Sequence, residues 1–135
     1  MPELRGVPPY RINFYRQEDG VEPVRRWLGD LPGAVKSYVG FMLKEYLQRY
    51  GSDVAATQFG KNLGAGLYEF RLDDEVETEK VLYRVFFHVY GDRIVLLLHA
   101  YDKGRQPSRT HQNEMIQLAR QRLGDFQRRM RSTAR

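Results

Sequence analysis

Apolar and polar residues alternate through the stretch from Gly66 to Lys103, and this pattern predicts three consecutive β-strands. The strands are expected at Gly66–Leu72, Lys80–Tyr90 and Arg93–Tyr101, with Gly91-Asp92 as a hairpin turn. Because successive side chains of a strand face opposite sides, the middle strand has one apolar face. That face consists of Val81, Tyr83, Val85, Phe87 and Val89. We expect it to pack against the core.

The opposite face of these strands combines charged, aromatic and histidine side chains. In the middle strand it carries Lys80, Leu82, Arg84, Phe86 and His88. If the strands pair as a meander, the neighbouring strands add Glu69, Arg71, His99, Tyr101 and Lys103 to it. We expect this face to be open to solvent and to carry the function of the protein.

The rest of the chain predicts helices around this sheet. Tyr10–Tyr15 alternates and is expected to be an edge strand. A short helix is expected to begin at Pro23, and a second runs from about Ala34 to Tyr50, with Gly51 as its stop. Ser52–Ala65 lacks periodicity and is interpreted as a loop.

A last helix is expected after Ser108 or Thr110, with an apolar side that fades beyond Gly124. The predicted class is α+β, with an N-terminal strand, a helical hairpin on the apolar side of the sheet, a three-stranded antiparallel meander and a C-terminal helix. We expect one domain over residues 1–135, with flexible ends at residues 1–9 and 127–135.

Composition and charge narrow the functional classes. The chain has 135 residues and no cysteine, so it cannot form disulfides. Its formal net charge of +5 favours an anionic partner. The histidines show no metal-ligand spacing, so we expect neither a metal nor a cofactor. No apolar run is long enough for a membrane span and no signal peptide is evident, so we expect a cytoplasmic protein without a membrane partner.

Arg71 and Arg84 have two interpretations. They can belong to an ordinary solvated sheet face, paired with Glu69 or with the acidic connector that spans residues 73–79. Alternatively, together with Lys103 they converge from three strands to hold phosphate oxygens, since guanidinium groups offer forked donors. Phe86 and Tyr101 would then provide stacking surfaces for bases.

Three short segments resemble the strand motifs of RelE/HigB-like toxins, the toxin halves of type II toxin–antitoxin pairs. They are Gly66–Arg71, Tyr83–Phe86 and Leu96–Lys103, and the similarity is greatest to the phage-derived HigB-like branch. The order of elements agrees over roughly Tyr10 to Phe126. The resemblance implies a metal-independent endoribonuclease that cleaves mRNA, often on the ribosome, and that a cognate helix-turn-helix antitoxin neutralises.

The resemblance also implies roles for individual residues. Arg71 and Arg84 match the arginines that contact phosphate, Tyr101 the aromatic residue of the last strand, and Lys103 the first lysine after it. Gly104 replaces a second lysine that the family commonly has. The catalytic candidates are Arg71, Arg84, His99, Tyr101 and Lys103, and the RNA-binding candidates are Glu69, Lys80, Phe86 and His88.

The general base stays open among four residues, with His99 favoured for its titration range: His99, Glu69, His88 and Tyr101. Two other functions also stay open, namely a non-catalytic basic module that binds RNA or a partner, and a phage-derived structural protein. We expect an antitoxin to cover the polar face or to block its approach to RNA, through an acidic segment. We also expect Arg84→Ala to abolish toxicity and to leave the fold intact, because Arg84 is predicted to face solvent.

Overall fold

The structure is a computed structural model that describes residues 8–133. Five strands form one mixed sheet in the order β1-β5-β4-β3-β2. They are β1 (Arg11–Phe14), β2 (Gly60–Gly64), β3 (Leu67–Val76), β4 (Glu79–Tyr90) and β5 (Ile94–Asp102). β1 runs parallel to β5, and the other neighbouring pairs are antiparallel. The α+β class and the antiparallel meander of β3, β4 and β5 are therefore confirmed.

Helices cover both faces of the sheet. On one face lie α1 (Pro23–Gly29) and α2 (Gly33–Met42), which continues through a π-helical turn (Leu43–Leu47) and α3 (Gln48–Tyr50) into a 3-10 helix (Gly51–Ala56). On the other face lies α4 (Arg109–Thr133). The expected helical hairpin on the apolar face is present, and α4 is the C-terminal helix that the sequence predicts.

The apolar face of β4 packs as the alternation predicts. Val85 and Phe87 are buried in a cluster with Val39 and Leu47 of the α1–α3 layer. Burial of each such side chain stabilises the fold by about 1.5–3 kcal/mol.

Gly51 ends α3 with φ +54, a conformation that a side chain disfavours. A Cβ atom at this position would overlap the ring of Tyr10, so the close approach also requires glycine. The predicted stop at this residue is confirmed.

The prediction that the second sheet face is open to solvent is wrong. A second buried cluster joins Phe86, Leu98 and Tyr101 of the sheet to Ala119 and Leu123 of α4. The sequence predicts an apolar side for α4 but not its place, and the structure shows that this side packs across the second face of the sheet. As a result most of the second face is covered, and Arg84 lies beneath the surface with 5% of its area exposed.

Two elements differ from the pattern-based expectation around β3. Residues 60–64, expected in a loop, form the edge strand β2, which pairs with β3 from Gly60↔Phe70 to Gly64↔Leu67. Its glycines and asparagine have low strand propensity, so pairing with β3 rather than local preference makes it a strand. Gly60 also packs so closely on Val54 that a Cβ atom would lie 2.6 Å from the Val54 carbonyl oxygen.

The acidic connector is itself largely strand. Asp73, Asp74 and Glu75 continue β3 and pair with Leu82, Val81 and Lys80 of β4, so the turn falls at residues 77–78. The acidic side chains therefore lie at the exposed tip of the β3–β4 hairpin. This places Asp73 two residues along the strand from Arg71.

The C-terminal helix is longer than its apolar pattern predicts, since it continues from Gly124 to Thr133. The segment 127–133, expected to fray, is helical and is joined to the segment after β1, because Arg129 donates to the backbone oxygen of Arg16 at 2.6 Å. Residues 134–135 and residues 1–7 of the expected flexible ends lie outside the described residues. In residues 8–133 we find no helix with both the length and the apolar character that a membrane span requires.

Candidate functional site

The sheet brings several of the predicted site residues into two adjacent rows under the N-terminal part of α4. Arg71, Arg84 and Tyr101 are successive cross-strand partners on β3, β4 and β5. Glu69 and Phe86 are partners in the next row. Directly paired residues share a face, so these side chains lie on the same face of the sheet.

Ion pairs hold the two arginines. Arg71 Nε donates to Glu69 Oε2 at 2.8 Å, and Arg84 Nη1 donates to Asp73 Oδ1 at 2.5 Å and to the Tyr83 carbonyl oxygen at 2.9 Å. The pairing of Arg71 and Arg84 with Glu69 and the acidic segment, one of the two interpretations of the sequence, is therefore present. We call Glu69, Arg71, Asp73, Arg84 and Tyr101 the arginine cluster.

The arginine cluster combines buried and accessible members. Glu69 is 1% exposed, whereas the side chains of Arg71 and Asp73 are 35% and 54% exposed. Arg71 and Asp73 line a small cavity of about 160 Å³ with Gln58 and Phe59. The buried part of the cluster is thus connected to solvent through Arg71 and Asp73.

Two buried polar atoms of the cluster lack a hydrogen-bond partner among the described residues. They are Nε of Arg84 and the hydroxyl of Tyr101, which belong to directly paired residues. A buried polar group without a partner costs about 1–3 kcal/mol. Two such groups side by side in one row would be stabilised by a further hydrogen-bond partner, such as a water molecule or an ion.

Burial controls the protonation of Tyr101. Desolvation is the main cause that raises the pKa of its hydroxyl, the negative charge of Glu69 raises it further, and Arg84 acts in the opposite direction. The hydroxyl therefore keeps its proton at neutral pH and is available as a donor. Its ring stacks on Phe86 with centroids 6.1 Å apart.

His111 and Gln112 of α4, which the sequence analysis did not select, lie against the cluster. The His111 ring meets the Tyr101 ring edge-on at 5.4 Å between centroids, and Gln112 Nε2 lies 3.5 Å from Glu69 Oε1. The signal that could have revealed them is the position of α4, since the first turns of a helix that crosses this face must meet β5 and β3.

His99 shares the face of Tyr101 as expected, but α4 covers it. Its Nε2 lies 2.9 Å from Met115 Sδ, and Arg122 Nη1 lies 3.1 Å from its Nδ1. Desolvation by burial, followed by the charges of Arg122 and His111, lowers the pKa of His99 to about 4. The ring is therefore neutral at pH 7, and its surroundings are those of a packed residue.

The other predicted site residues lie at different depths and places. Phe86 is completely buried, so in this structure its ring is not accessible to a base. Lys103 is half-buried just beyond β5, where its backbone N–H donates to Leu82 at 2.8 Å. Lys80 and His88 are each four residues from Arg84 along β4, roughly 13 Å in opposite directions, so they do not join the arginine cluster.

His88 and Lys80 have local surroundings of their own. His88 Nδ1 lies 2.7 Å from the Gly66 carbonyl oxygen, and Lys80 lies opposite Glu75 in the register of the β3–β4 hairpin. Gly104 is exposed, in the turn after β5.

Comparison with known families gives a match to the model described as "Phage derived protein Gp49-like (DUF891)", over residues 26–124. None of the curated proteins matches the chain. The matched segment runs from α1 into α4 and contains every residue of the arginine cluster as well as His111 and Gln112. It covers well over half of the chain, so the chain belongs to the Gp49-like family of phage-derived proteins, within the RelE/HigB-like toxin superfamily.

Proposed function

We propose that the protein is the toxin of a type II toxin–antitoxin pair, of the HigB-like branch, and that it cleaves mRNA as a metal-independent endoribonuclease, on the ribosome. The observation that carries the proposal is the row Arg71–Arg84–Tyr101, with two unpartnered buried donors beside an accessible arginine. Family membership supports the toxin-like kind. In this proposal the cognate antitoxin neutralises the cleavage activity.

The row suits a scissile phosphate because it offers donors of different kinds. Arg71 keeps about a third of its side chain exposed while its Nε bonds to Glu69, so the rest of its guanidinium is available to an oxygen of the phosphate. Arg84 Nε and the Tyr101 hydroxyl lie deeper and would receive the charge that develops in the transition state. Donors that are held in place before the reaction are often the largest contribution to catalysis.

In the proposed step the 2′-oxygen of the RNA attacks the adjacent phosphorus, and the bond from phosphorus to the 5′-oxygen breaks. The 2′-hydroxyl gives up one proton and the departing 5′-oxygen takes one. Tyr101, whose raised pKa keeps it protonated, is the proposed donor toward the phosphate or the leaving oxygen. His111, beside Tyr101 and 3.9 Å from Glu114, replaces the covered His99 as the proposed proton acceptor.

The test is induction of the chain in cells, with growth and RNA ends as readouts. We expect growth arrest and new RNA ends bearing 2′,3′-cyclic phosphate, and we expect both to disappear when the neighbouring antitoxin gene is co-expressed. Arg71→Ala and His111→Gln should each lower cleavage by about a hundredfold or more. Arg131→Ala changes an exposed arginine near the end of α4 and is the matched control.

Three results would separate the alternatives. A harmless wild-type protein that binds RNA without cutting it would support a binding module instead of a nuclease. A harmless protein without RNA affinity that assembles with virion proteins would support a structural role. Cleavage that survives Arg71→Ala and His111→Gln would move the active site away from the arginine cluster.

A further inference from the structure

A cleft of about 400 Å³ follows the outer edge of the sheet at β1, and none of the residues of the arginine cluster lines it. One wall is the start of α1 and the other is the C-terminal end of α4. Apolar and aromatic side chains form much of the lining, including Phe14, Tyr90, Phe126 and Met130. Met130 is one of the two large apolar residues of the described chain that are exposed, at 46%.

The backbone of β1 faces this cleft with hydrogen-bonding groups that no strand within residues 8–133 uses. Arg11 and Tyr15 donate their N–H groups to the carbonyl oxygens of Arg93 and Leu97, toward β5. Because the direction alternates along a strand, the N–H and C=O groups of Ile12 and Phe14 point away from β5. β1 is the outermost strand, so these groups lie on a free edge that can pair with another strand.

The cleft carries a surplus of positive charge on both walls. Near α1, Glu22 forms ion pairs with both Arg25, at 2.6 Å, and Arg16, at 3.7 Å. In the C-terminal part of α4, Asp125 forms ion pairs with both Arg128 and Arg129. Four guanidinium groups thus share two carboxylates, and the side chains of Arg16 and Arg25 are about two-thirds exposed.

We propose that this cleft binds an extended acidic segment of a partner protein, which adds to β1 as a further strand. Backbone pairing would engage Ile12 and Phe14, and the segment's carboxylates would meet the surplus arginines. Apolar side chains of the same segment would cover Phe126 and Met130. The proposal rests on the proposed function in one respect, because it assigns the segment to the antitoxin.

A protein segment fits the cleft better than RNA does. The free N–H and C=O groups of a strand edge form a regular ladder only with another polypeptide backbone. Glu22 lines the cleft and Asp125 bonds to the lining residue Tyr15, so both would repel phosphates, whereas carboxylates on a flexible segment can be spaced to avoid them. The apolar floor of the cleft would also be covered by apolar side chains, which a protein segment has and RNA lacks.

The first measurement uses amide hydrogen exchange of the full chain, free and in complex with the antitoxin encoded beside its gene. We expect the amides of Ile12 and Phe14 to become protected at least about tenfold in the complex. The amide of Tyr15, which already donates to Leu97, should be protected in both states. A stable complex without new protection at Ile12 and Phe14 would overturn the proposal.

The second measurement compares affinities for the same antitoxin. Arg16→Glu combined with Arg25→Glu should weaken binding by about a hundredfold, and the loss should shrink at high salt. Arg26→Glu makes the same charge change on an exposed arginine of α1 that does not line the cleft, and it should bind like the wild type. Met130→Asp tests the apolar floor, and thermal unfolding of each variant verifies its fold.

The outcomes distinguish this inference from the function on which it rests. If the antitoxin binds tightly and none of the cleft variants weakens it, the docking site is wrong while the toxin proposal stands. If the antitoxin neither binds nor neutralises, both proposals fail. If a twelve-nucleotide RNA protects Ile12 and Phe14 and the antitoxin does not, the cleft belongs to RNA and the proposal is overturned.

Discussion

At the scale of single residues, Arg84 shows how burial changes the meaning of a charged strand position. The sequence places it at the centre of the polar face, and the structure agrees on its neighbours Arg71 and Tyr101. However, α4 and the sheet bury it, with one contact to Asp73 and one to the Tyr83 backbone. Arg84 therefore stabilises the fold, in addition to the role in ligand binding proposed for it.

This dual role changes the expected result for Arg84→Ala. We predict that the free energy of unfolding falls by about 1–3 kcal/mol, because the substitution leaves a void and removes hydrogen bonds inside the fold. The loss should not be larger, since the abandoned Asp73 is half exposed and can be solvated. Thermal or urea unfolding measures it.

Arg84→Lys provides the comparison that separates stability from chemistry. Lysine keeps the charge but cannot reproduce the forked donors, so cleavage should remain well below the wild-type rate even though stability is largely regained. An Arg84→Ala protein that unfolds like the wild type would contradict the structural role of this side chain.

At the scale of secondary structure, α4 determines what the polar face of the sheet can do. It buries Ala119 and Leu123 against Phe86, Leu98 and Tyr101, and it leaves only the Arg71–Asp73 side of the cluster accessible. A β-bulge between Phe86 and Phe87 lets Leu98 and His99 both lie on the α4 side. His99 is thereby held as a neutral ring between Met115 and Arg122.

The buried His99 predicts how stability depends on pH. Its folded pKa of about 4 lies below the ordinary 6.5, so between these values the unfolded chain binds a proton that the folded chain does not. Its contribution to stability is therefore complete above about pH 6.5 and is lost as the pH falls toward 4. The loss is at most about 3 kcal/mol.

Urea unfolding of the wild type and of His99→Gln across pH 4–7 measures this contribution. The glutamine variant should show the smaller decline, because carboxylates that titrate in the same range contribute equally to both proteins. Parallel stability curves would show that His99 is not held in its neutral form.

At the scale of the whole molecule, the sheet order separates two surfaces. The arginine cluster lies toward the β3 side and the basic cleft follows the outer edge of β1. The arginine cluster pairs two arginines with two carboxylates, whereas four arginines at the cleft share two carboxylates. A partner on the β1 edge need not touch the arginine cluster in order to bind.

The sequence predicts most of the strands, and for a clear reason. β4 and β5 are rich in β-branched, aromatic and leucine residues, β5 begins with a continuous apolar run, and the turn residues between them are typical. The edge strand β2 could not be predicted in the same way, because its pairing with β3 overrides its weak local propensity.

The candidate site was predictable only in part. Strand parity places Glu69 and Arg71 on one face of their strand, and the pairing of the meander adds Arg84 and Tyr101 to that face. The solvent exposure of these residues depends on where α4 packs on the sheet, and tertiary packing sets that position. His111 and Gln112 enter the site only through that packing, and so does the covering of His99 and Phe86.

The central claim is that the Arg71–Arg84–Tyr101 row holds the reacting phosphate, and Tyr101→Phe tests it most directly. The change removes one hydroxyl that is buried without a partner, so the unfolding midpoint should stay equal or rise. If the hydroxyl donates to the phosphate or the leaving oxygen, single-turnover cleavage of mRNA by the purified protein should slow by about a hundred- to a thousandfold. Tyr68→Phe, on the opposite face of the sheet, is the control and should cleave like the wild type. Wild-type cleavage by a folded Tyr101→Phe protein would contradict the account.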